Sequence, residues 1–291
     1  MICNLCPRRC GAERTETEGR GFCRMPAAPV VARAALHPWE EPVLCGSGGA
    51  GTVFFTGCNL GCSYCQNTPI SRENFGKPVS ARRLREIFED LIAQGAATID
   101  LVTPTHFVPF ILPALDPPLP VPVVYNCGGY ESVDTLRQLD GKVQVYLPDL
   151  KYADPALARD LSHAPHYFPV ATAAIREMFR QTGPCRFDKA GLLTRGVVIR
   201  HLILPGQTAQ AKAVMDWVAR TFHKGAVLFS LMSQYTPWGD LSAFPELDRR
   251  LRRGEMESCA DYMRNLDLPG FCQERTSARE EYTPPFDLTG L

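Results

Sequence analysis

Eight residues, Cys58-Asn59-Leu60-Gly61-Cys62-Ser63-Tyr64-Cys65, restrict this chain more than any other part of it. Three cysteines in C-x3-C-x2-C spacing follow directly on Gly51-Thr52-Val53-Phe54-Phe55-Thr56, a strand-like run rich in β-branched and aromatic residues. Thiolates at this spacing can hold three irons of a [4Fe–4S] cube and leave the fourth iron without a protein ligand. An open coordination position is what separates a catalytic metal centre from a closed structural one. A structural zinc site is the competing reading. It would ask for a fourth ligand close by, and none follows soon after Cys65.

Cysteine usage elsewhere supports a metalloprotein. The opening Met1-Ile2-Cys3-Asn4-Leu5-Cys6 lacks the charged and apolar regions of a secretory signal, which leads to the expectation of a cytoplasmic protein. In a reducing compartment, clustered cysteines are ligands more often than disulfide partners. Seven of the twelve cysteines fall into two close groups. The second group is Cys3, Cys6, Cys10 and, beyond a glycine-bearing loop, Cys23. C-x2-C-x3-C with a fourth cysteine further on supplies four thiolates, enough for a closed zinc site or a fully ligated Fe–S cluster. Spacing leaves both metals open. Zinc would make the segment a staple, and a cluster would make it an electron relay. Cys45, Cys185, Cys259 and Cys272 lack ligand spacing, and Cys127 reads as a small buried thiol.

The 31 basic and 31 acidic residues balance, so no global field draws the chain to nucleic acid. No apolar run approaches the roughly 20 residues that span a bilayer, so no membrane partner is expected. With 45% hydrophobic residues in 291 positions, the chain can enclose one large core.

Downstream of Cys65, strand-like and helix-like stretches alternate. Leu84, Ile87, Phe88 and Leu91 share one face of a predicted helix over 80–94. Strands are predicted at 97–102, 121–125, 143–147, 196–203 and 226–231, with helical segments near 106–115, 131–139, 156–161, 168–180 and 209–222. With the strand before the cysteines this makes six β units, and such alternation argues an α/β fold with a parallel sheet covered on both faces. Functional groups should then gather at the carboxyl ends of the strands. Thr103-Pro104-Thr105-His106, Asn126-Cys127-Gly128-Gly129-Tyr130, Pro148-Asp149-Leu150-Lys151-Tyr152 and Ser233-Gln234-Tyr235 stand at such ends, and Arg200 and His201 lie within the fifth strand. Glu40-Glu41-Pro42 reads as a solvated turn in preference to a carboxylate near the barrel rim, and the tail beyond about 267 as a loose wrap.

The whole chain resembles radical SAM proteins of the pyruvate formate-lyase activating-enzyme-like group, in a branch with an N-terminal cysteine knuckle. The stretches that carry the resemblance are C-N-L-C-P-R-R-C (3–10), W-E-E-P (39–42), F-F-T-G-C-N-L-G-C-S-Y-C-Q-N (54–67) and L-V-T-P-T-H (101–106). They continue with V-Y-N-C-G-G-Y-E (124–131), Y-L-P-D-L-K-Y (146–152), R-H-L-I-L-P-G (200–206) and L-M-S-Q-Y (231–235). The resemblance implies a partial (β/α)6 radical SAM barrel (46–240), with a small metal-binding knuckle before it (1–45) and a C-terminal helix and extended wrap after it (241–291). S-adenosylmethionine (SAM) would lie across the strand ends on a [4Fe–4S] cluster held by Cys58, Cys62 and Cys65. Tyr64, Thr103, Asn126, Asp149, Lys151 and Arg200 would contact SAM, Tyr64 as the aromatic neighbour of the adenine. An arginine fork suits a carboxylate, and lysine offers a point charge.

The implied activity is reductive cleavage of SAM to a 5′-deoxyadenosyl radical that takes hydrogen from a substrate. A flavodoxin- or ferredoxin-type reductant would supply the electron. The target would be a glycyl-radical enzyme, or else a small molecule or another peptide, with a non-catalytic electron carrier or zinc-stapled binding module as the alternative of another class. Two departures from the activating enzymes stand out. Thr103-Pro104-Thr105 occupies the place of a Gly-Gly-Glu element, while Gly128, Gly129 and Glu131 come one strand later, and Gln234-Tyr235 replaces a histidine.

Overall fold

The computed structural model describes residues 2–273 and 284–291. Its strands are β1 (Val30–His37), β2 (Ala50–Phe55), β3 (Lys77–Pro78), β4 (Thr98–Val102), β5 (Val123–Cys127), β6 (Val145–Pro148), β7 (Arg186–Phe187), β8 (Leu193–Leu202), β9 (Leu228–Met232) and β10 (Gly270–Cys272). The helices are α1 (Pro42–Cys45), α2 (Thr68–Ser71), α3 (Ala81–Ala93), α4 (Val108–Ile111), α5 (Val133–Arg137), α6 (Pro155–Ser162), α7 (Tyr167–Thr182), α8 (Thr208–Thr221) and α9 (Arg253–Asn265).

The six expected strands are β2, β4, β5, β6, β8 and β9, and each pairs in parallel with the next. Helices cross between them. In α3, Leu84, Ile87, Phe88 and Leu91 are buried as the periodicity predicts, and the Ser80 hydroxyl caps the first turn by accepting from Arg83 N at 3.1 Å. The stretch expected as one helix near 106–115 is instead α4 between two short 3-10 turns, broken by Pro109 and Pro113.

Three additions extend the sheet beyond the sequence reading. β1 pairs antiparallel with β2, so residues 30–37, within the stretch assigned to the knuckle, belong to the sheet. β3 pairs with β1. β10 pairs in parallel with β9, so the start of the expected wrap is a strand. Further on, Leu288 and Thr289 bond to Ala32 and Ala34, and Asp287 pairs with Arg33. No described helix is long and apolar enough to cross a membrane.

Side-chain alternation divides the sheet. Val123, Tyr125, Tyr146, Val197, Ile199, Phe229 and Leu231 face the helices in the main core. Val124, Val145, Leu147, Val198 and Leu228 face inward, and Leu44 of α1 packs on them. Since β1 ends at His37 beside Ala50, the chain re-enters the half-barrel from the amino-terminal end of the strands, and residues 38–45 plug it. The Leu44 carbonyl accepts from Thr98 Oγ1 at 3.1 Å. Burying the Leu44 side chain in that interior stabilises the plug by about 1.5–3 kcal/mol.

Candidate active site

A cleft of about 280 Å³ opens at the carboxyl ends of the strands, inside the half-barrel. Cys62, Tyr64 and Cys65 line it from above, Asn126, Asp149, Lys151 and Arg200 from the sheet, and Glu40 and Glu41 from below. Of the residues expected to contact SAM, five line this cleft; Thr103 does not. Its backbone N–H donates to the Asn126 carbonyl at 2.8 Å, with φ at 59°, so it shapes the end of β4 instead.

The cysteine loop leaves β2 through Gly57 (φ 86°) and turns at Gly61 (φ 69°), positions where only glycine fits without strain. A Cβ on Gly61 would collide with the Arg72 guanidinium, which lies across the loop. Each ligand sulfur has a hydrogen-bond partner. The Leu60 N–H donates to Cys58 Sγ at 3.3 Å, Ser162 Oγ donates to Cys62 Sγ at 2.9 Å, and Ser71 Oγ stands 3.4 Å from Cys65 Sγ. Hydrogen bonds to sulfur are one of the levers that set a cluster's potential. Ser162 Oγ lies 2.6 Å from Tyr152 OH, which lies 2.7 Å from Tyr64 OH. Because Ser162 gives its one proton to Cys62, Tyr152 must donate to Ser162 and Tyr64 to Tyr152. The chain of hydroxyls therefore points its positive ends toward the sulfur. Burial pushes the Cys58 thiol up, and Cys65 up to about 11, so both stay protonated until a cation replaces the proton. Three thiols on one loop, two of them lining a polar cleft, would suit a three-cysteine [4Fe–4S] cluster, with Cys58, Cys62 and Cys65 as the residues that would hold it.

Arg200 organises the sheet side. On β8, Val198, Arg200 and Leu202 point inward while His201 points out, where its ring nitrogen bonds the Leu150 carbonyl at 2.7 Å. The guanidinium donates to Asp149 Oδ1 at 2.9 Å, Asn126 Oδ1 at 2.6 Å and Glu40 Oε1 at 3.4 Å. Lys151 Nζ bonds the other Asp149 oxygen at 2.5 Å. Burial alone would raise the Asp149 carboxyl, but the Lys151 and Arg200 charges outweigh it and hold it below the usual range.

The floor was not legible in the sequence. Glu40 and Glu41, read as a solvated turn, ride on the plug into the half-barrel, and Glu41 is 4% exposed. Glu41 Oε1 accepts from Ser230 Oγ at 2.8 Å. Asn126 Nδ2 reaches both Glu40, at 3.4 Å, and the wholly buried Asp100, at 3.2 Å. By contrast, Glu131 is turned away from the cleft, accepting from Thr105 Oγ1 at 2.7 Å and Tyr125 OH at 2.9 Å. His106 is likewise a core histidine, bonded to the Thr56 carbonyl.

Burial, helped by the charge on Glu40, pushes the Glu41 carboxyl from 4.5 up to about 7. Between those values the folded chain keeps a proton that the unfolded chain has lost, so stability falls as pH rises through that window. Glu41→Gln is neutral at every pH. It should unfold like wild type near pH 3.5, below the window, but be more stable by on the order of 3 kcal/mol at pH 8. Denaturant melts at the two pH values check this, and an equal offset at both would refute the burial of a titrating Glu41.

Comparison with known proteins agrees with this geometry. Residues 44–103 match the family described as a 4Fe-4S single cluster domain. An uncharacterized protein of Methanocaldococcus jannaschii, MJ0674, is 30% identical over 281 residues, which is 91% of this chain and 76% of the relative. Among solved structures, methylornithine synthase is similar with a TM-score of 0.51 at 16% identity, over 82% of this chain and 65% of the synthase. SuiB of Streptococcus suis, solved with S-adenosylmethionine bound, is similar with a TM-score of 0.50 at 12% identity, over 78% of this chain and 51% of SuiB. The chain thus spans under two thirds of either solved protein, and these two show the fold alone. Cysteine loop, half-barrel and relatives lead to one conclusion: the chain belongs to one family with MJ0674 and carries, over residues 44–103, a match to the 4Fe-4S single cluster domain.

Proposed function

We propose that this chain cleaves SAM reductively and directs hydrogen abstraction at a small polar substrate seated on the carboxylate floor of the cleft. Bound at Cys58, Cys62 and Cys65, the cluster and SAM supply one-electron cleavage of a carbon–sulfur bond and a 5′-deoxyadenosyl radical. The chain's own residues bind and orient. Arg200 and Lys151 offer cationic donors to the methionine carboxylate, Asn126 and Asp149 fix the arginine fork, and Tyr64 offers a ring to the adenine.

The observation that carries the substrate class is Glu41. It lines the cleft at 4% exposure, its Oε1 accepts from Ser230 Oγ at 2.8 Å, and with Glu40 it makes the floor of the cleft acidic. An acidic floor favours a substrate that brings N–H or O–H donors to it, an amine above all. Offering amines and amino acids singly to the reconstituted enzyme should raise 5′-deoxyadenosine output for one of them, and less so in Glu41→Gln. Activation of a glycyl-radical enzyme is the second reading. It is favoured by Trp39, 60% exposed on the cleft wall, and by Trp238, 45% exposed beside Gly239, where an added Cβ would stand 3.5 Å from the Ser63 carbonyl of the cluster loop. Stimulation by such an enzyme alone, with a glycyl doublet in its EPR spectrum, would replace the first reading by the second.

A further inference from the structure

The N-terminal cysteines lie against the back of the cluster loop. Cys3 and Cys6 are buried, Cys23 is half-buried and Cys10 is exposed. The knuckle is closed by backbone bonds from Cys3 N to the Ala12 carbonyl at 2.9 Å and from Gly11 N to the Cys3 carbonyl at 3.2 Å. Gly21 makes room for Cys10, whose sulfur would stand 2.9 Å from any Cβ placed there. Arg14 donates to Cys3 Sγ at 3.7 Å.

Three contacts join this knuckle to the loop of Cys58, Cys62 and Cys65. A Cβ on Gly57 would stand 3.1 Å from the Cys23 carbonyl, so one knuckle ligand abuts the residue before Cys58. Arg8, between Cys6 and Cys10, donates to the Asn59 carbonyl at 2.7 Å, the Leu60 carbonyl at 3.3 Å, the Ser162 carbonyl at 2.9 Å and the His163 carbonyl. Its guanidinium is in electrostatic range of both Cys6 and Cys58. Phe22, next to Cys23, has the Arg8 guanidinium 4.0 Å and that of Arg72 4.7 Å from its ring centre, and Arg72 lies across Gly61.

The four knuckle cysteines thus sit directly against the loop of Cys58, Cys62 and Cys65, a placement that an electron carrier requires and a structural zinc does not. Four thiolates also leave no open position, which suits electron transfer rather than substrate binding.

From these contacts we infer that Cys3, Cys6, Cys10 and Cys23 hold a second, fully ligated [4Fe–4S] cluster, through which a one-electron protein donor reduces the cluster at Cys58, Cys62 and Cys65. One electron passes from a flavodoxin- or ferredoxin-type donor to the knuckle cluster, reached at exposed Cys10. It then passes to the inner cluster as the knuckle cluster is reoxidised, with no bond made or broken. The relay rests on the radical SAM reading, whereas the presence of the second cluster does not.

The test uses the full chain reconstituted anaerobically. Wild type should hold about eight irons, and the triple variant Cys58→Ala, Cys62→Ala, Cys65→Ala about four, with a reduced-cluster EPR signal that SAM does not perturb. One zinc per chain in the triple variant, or no metal, overturns the proposal even if SAM cleavage is confirmed in wild type. Arg8→Gln keeps every thiol, and loss of its positive charge should lower the midpoint potentials of both EPR signals. A shift in only one signal, or in neither, overturns the coupling. In Cys10→Ala, cleavage driven by reduced flavodoxin should be lost while cleavage driven by dithionite persists, and equal retention with both reductants overturns the relay.

Discussion

Replacing Cys58, Cys62 and Cys65 together by alanine is expected to abolish formation of 5′-deoxyadenosine while leaving the fold intact. The activity half follows from the absence of any substitute ligand. The sulfurs stand on one loop above the cleft, and the nearest other polar groups, Ser71, Ser162 and the Leu60 N–H, serve as partners to them. A hydroxyl in that place is a poor ligand for an Fe–S iron, whose clusters are held by thiolates. The folding half follows from what else ties the loop down. Arg8 bonds its carbonyls, Asn59 Nδ2 donates to the Tyr130 carbonyl at 2.6 Å, and Leu60, 1% exposed, packs in the main core. Removing three partly exposed thiols leaves these untouched. Product quantification by chromatography and a thermal melt of the metal-free proteins separate the two halves. Turnover surviving in the variant would sink the assignment of the cluster to this loop.

How much of this could be read from the sequence depended on whether the signal was local. The cysteine spacing and the six parallel strands were legible, because ligand spacing and runs of Val, Ile and Leu are written in consecutive residues. Asp149, Lys151, Arg200 and Asn126 were found by the rule that strand ends carry function, and the cleft gathers all four. Thr103 stands at such an end too, yet its backbone conformation leaves it off the cleft. β1 escaped notice because Val30-Val31-Ala32-Arg33-Ala34-Ala35 is alanine-rich and follows a cysteine knuckle. β10 was hidden behind Pro269-Gly270, which reads as a breaker.

Glu40 and Glu41 show where local reasoning fails most sharply. Two glutamates before a proline are indistinguishable from a surface turn until β1 reverses the chain and drives residues 38–45 into the half-barrel. Ser162 belongs to the same class. Nothing at the end of α6 announces that its hydroxyl meets a sulfur a hundred residues away in sequence. Such partners are set by tertiary placement alone, and here they determine the electrostatics of the site.

Asp149→Ala should be the most destabilising single substitution in the cleft, costing about 3–5 kcal/mol, the range for removing one partner of a buried ion pair. Asp149 is the shared counter-ion of two cations, at 2.9 Å from Arg200 and 2.5 Å from Lys151, and all three side chains are under 20% exposed. Among the described residues its loss leaves Lys151 without a carboxylate partner and Arg200 with the longer contact to Glu40 beside its bond to Asn126. The sign can be checked against pH. Asp149 titrates below its ordinary value of 3.8, so its contribution is present above that pH and is lost as pH falls through the lower folded value. The difference between wild type and Asp149→Ala should therefore narrow in acid. Lys151→Met in the Asp149→Ala background should then cost less than Lys151→Met alone, because the charge it removes is already unpaired. Denaturant unfolding of the four proteins at neutral and acid pH measures both effects. Strict additivity would mean that the two residues do not share the charge, and Arg200 alone would then have to account for the depressed Asp149 carboxyl.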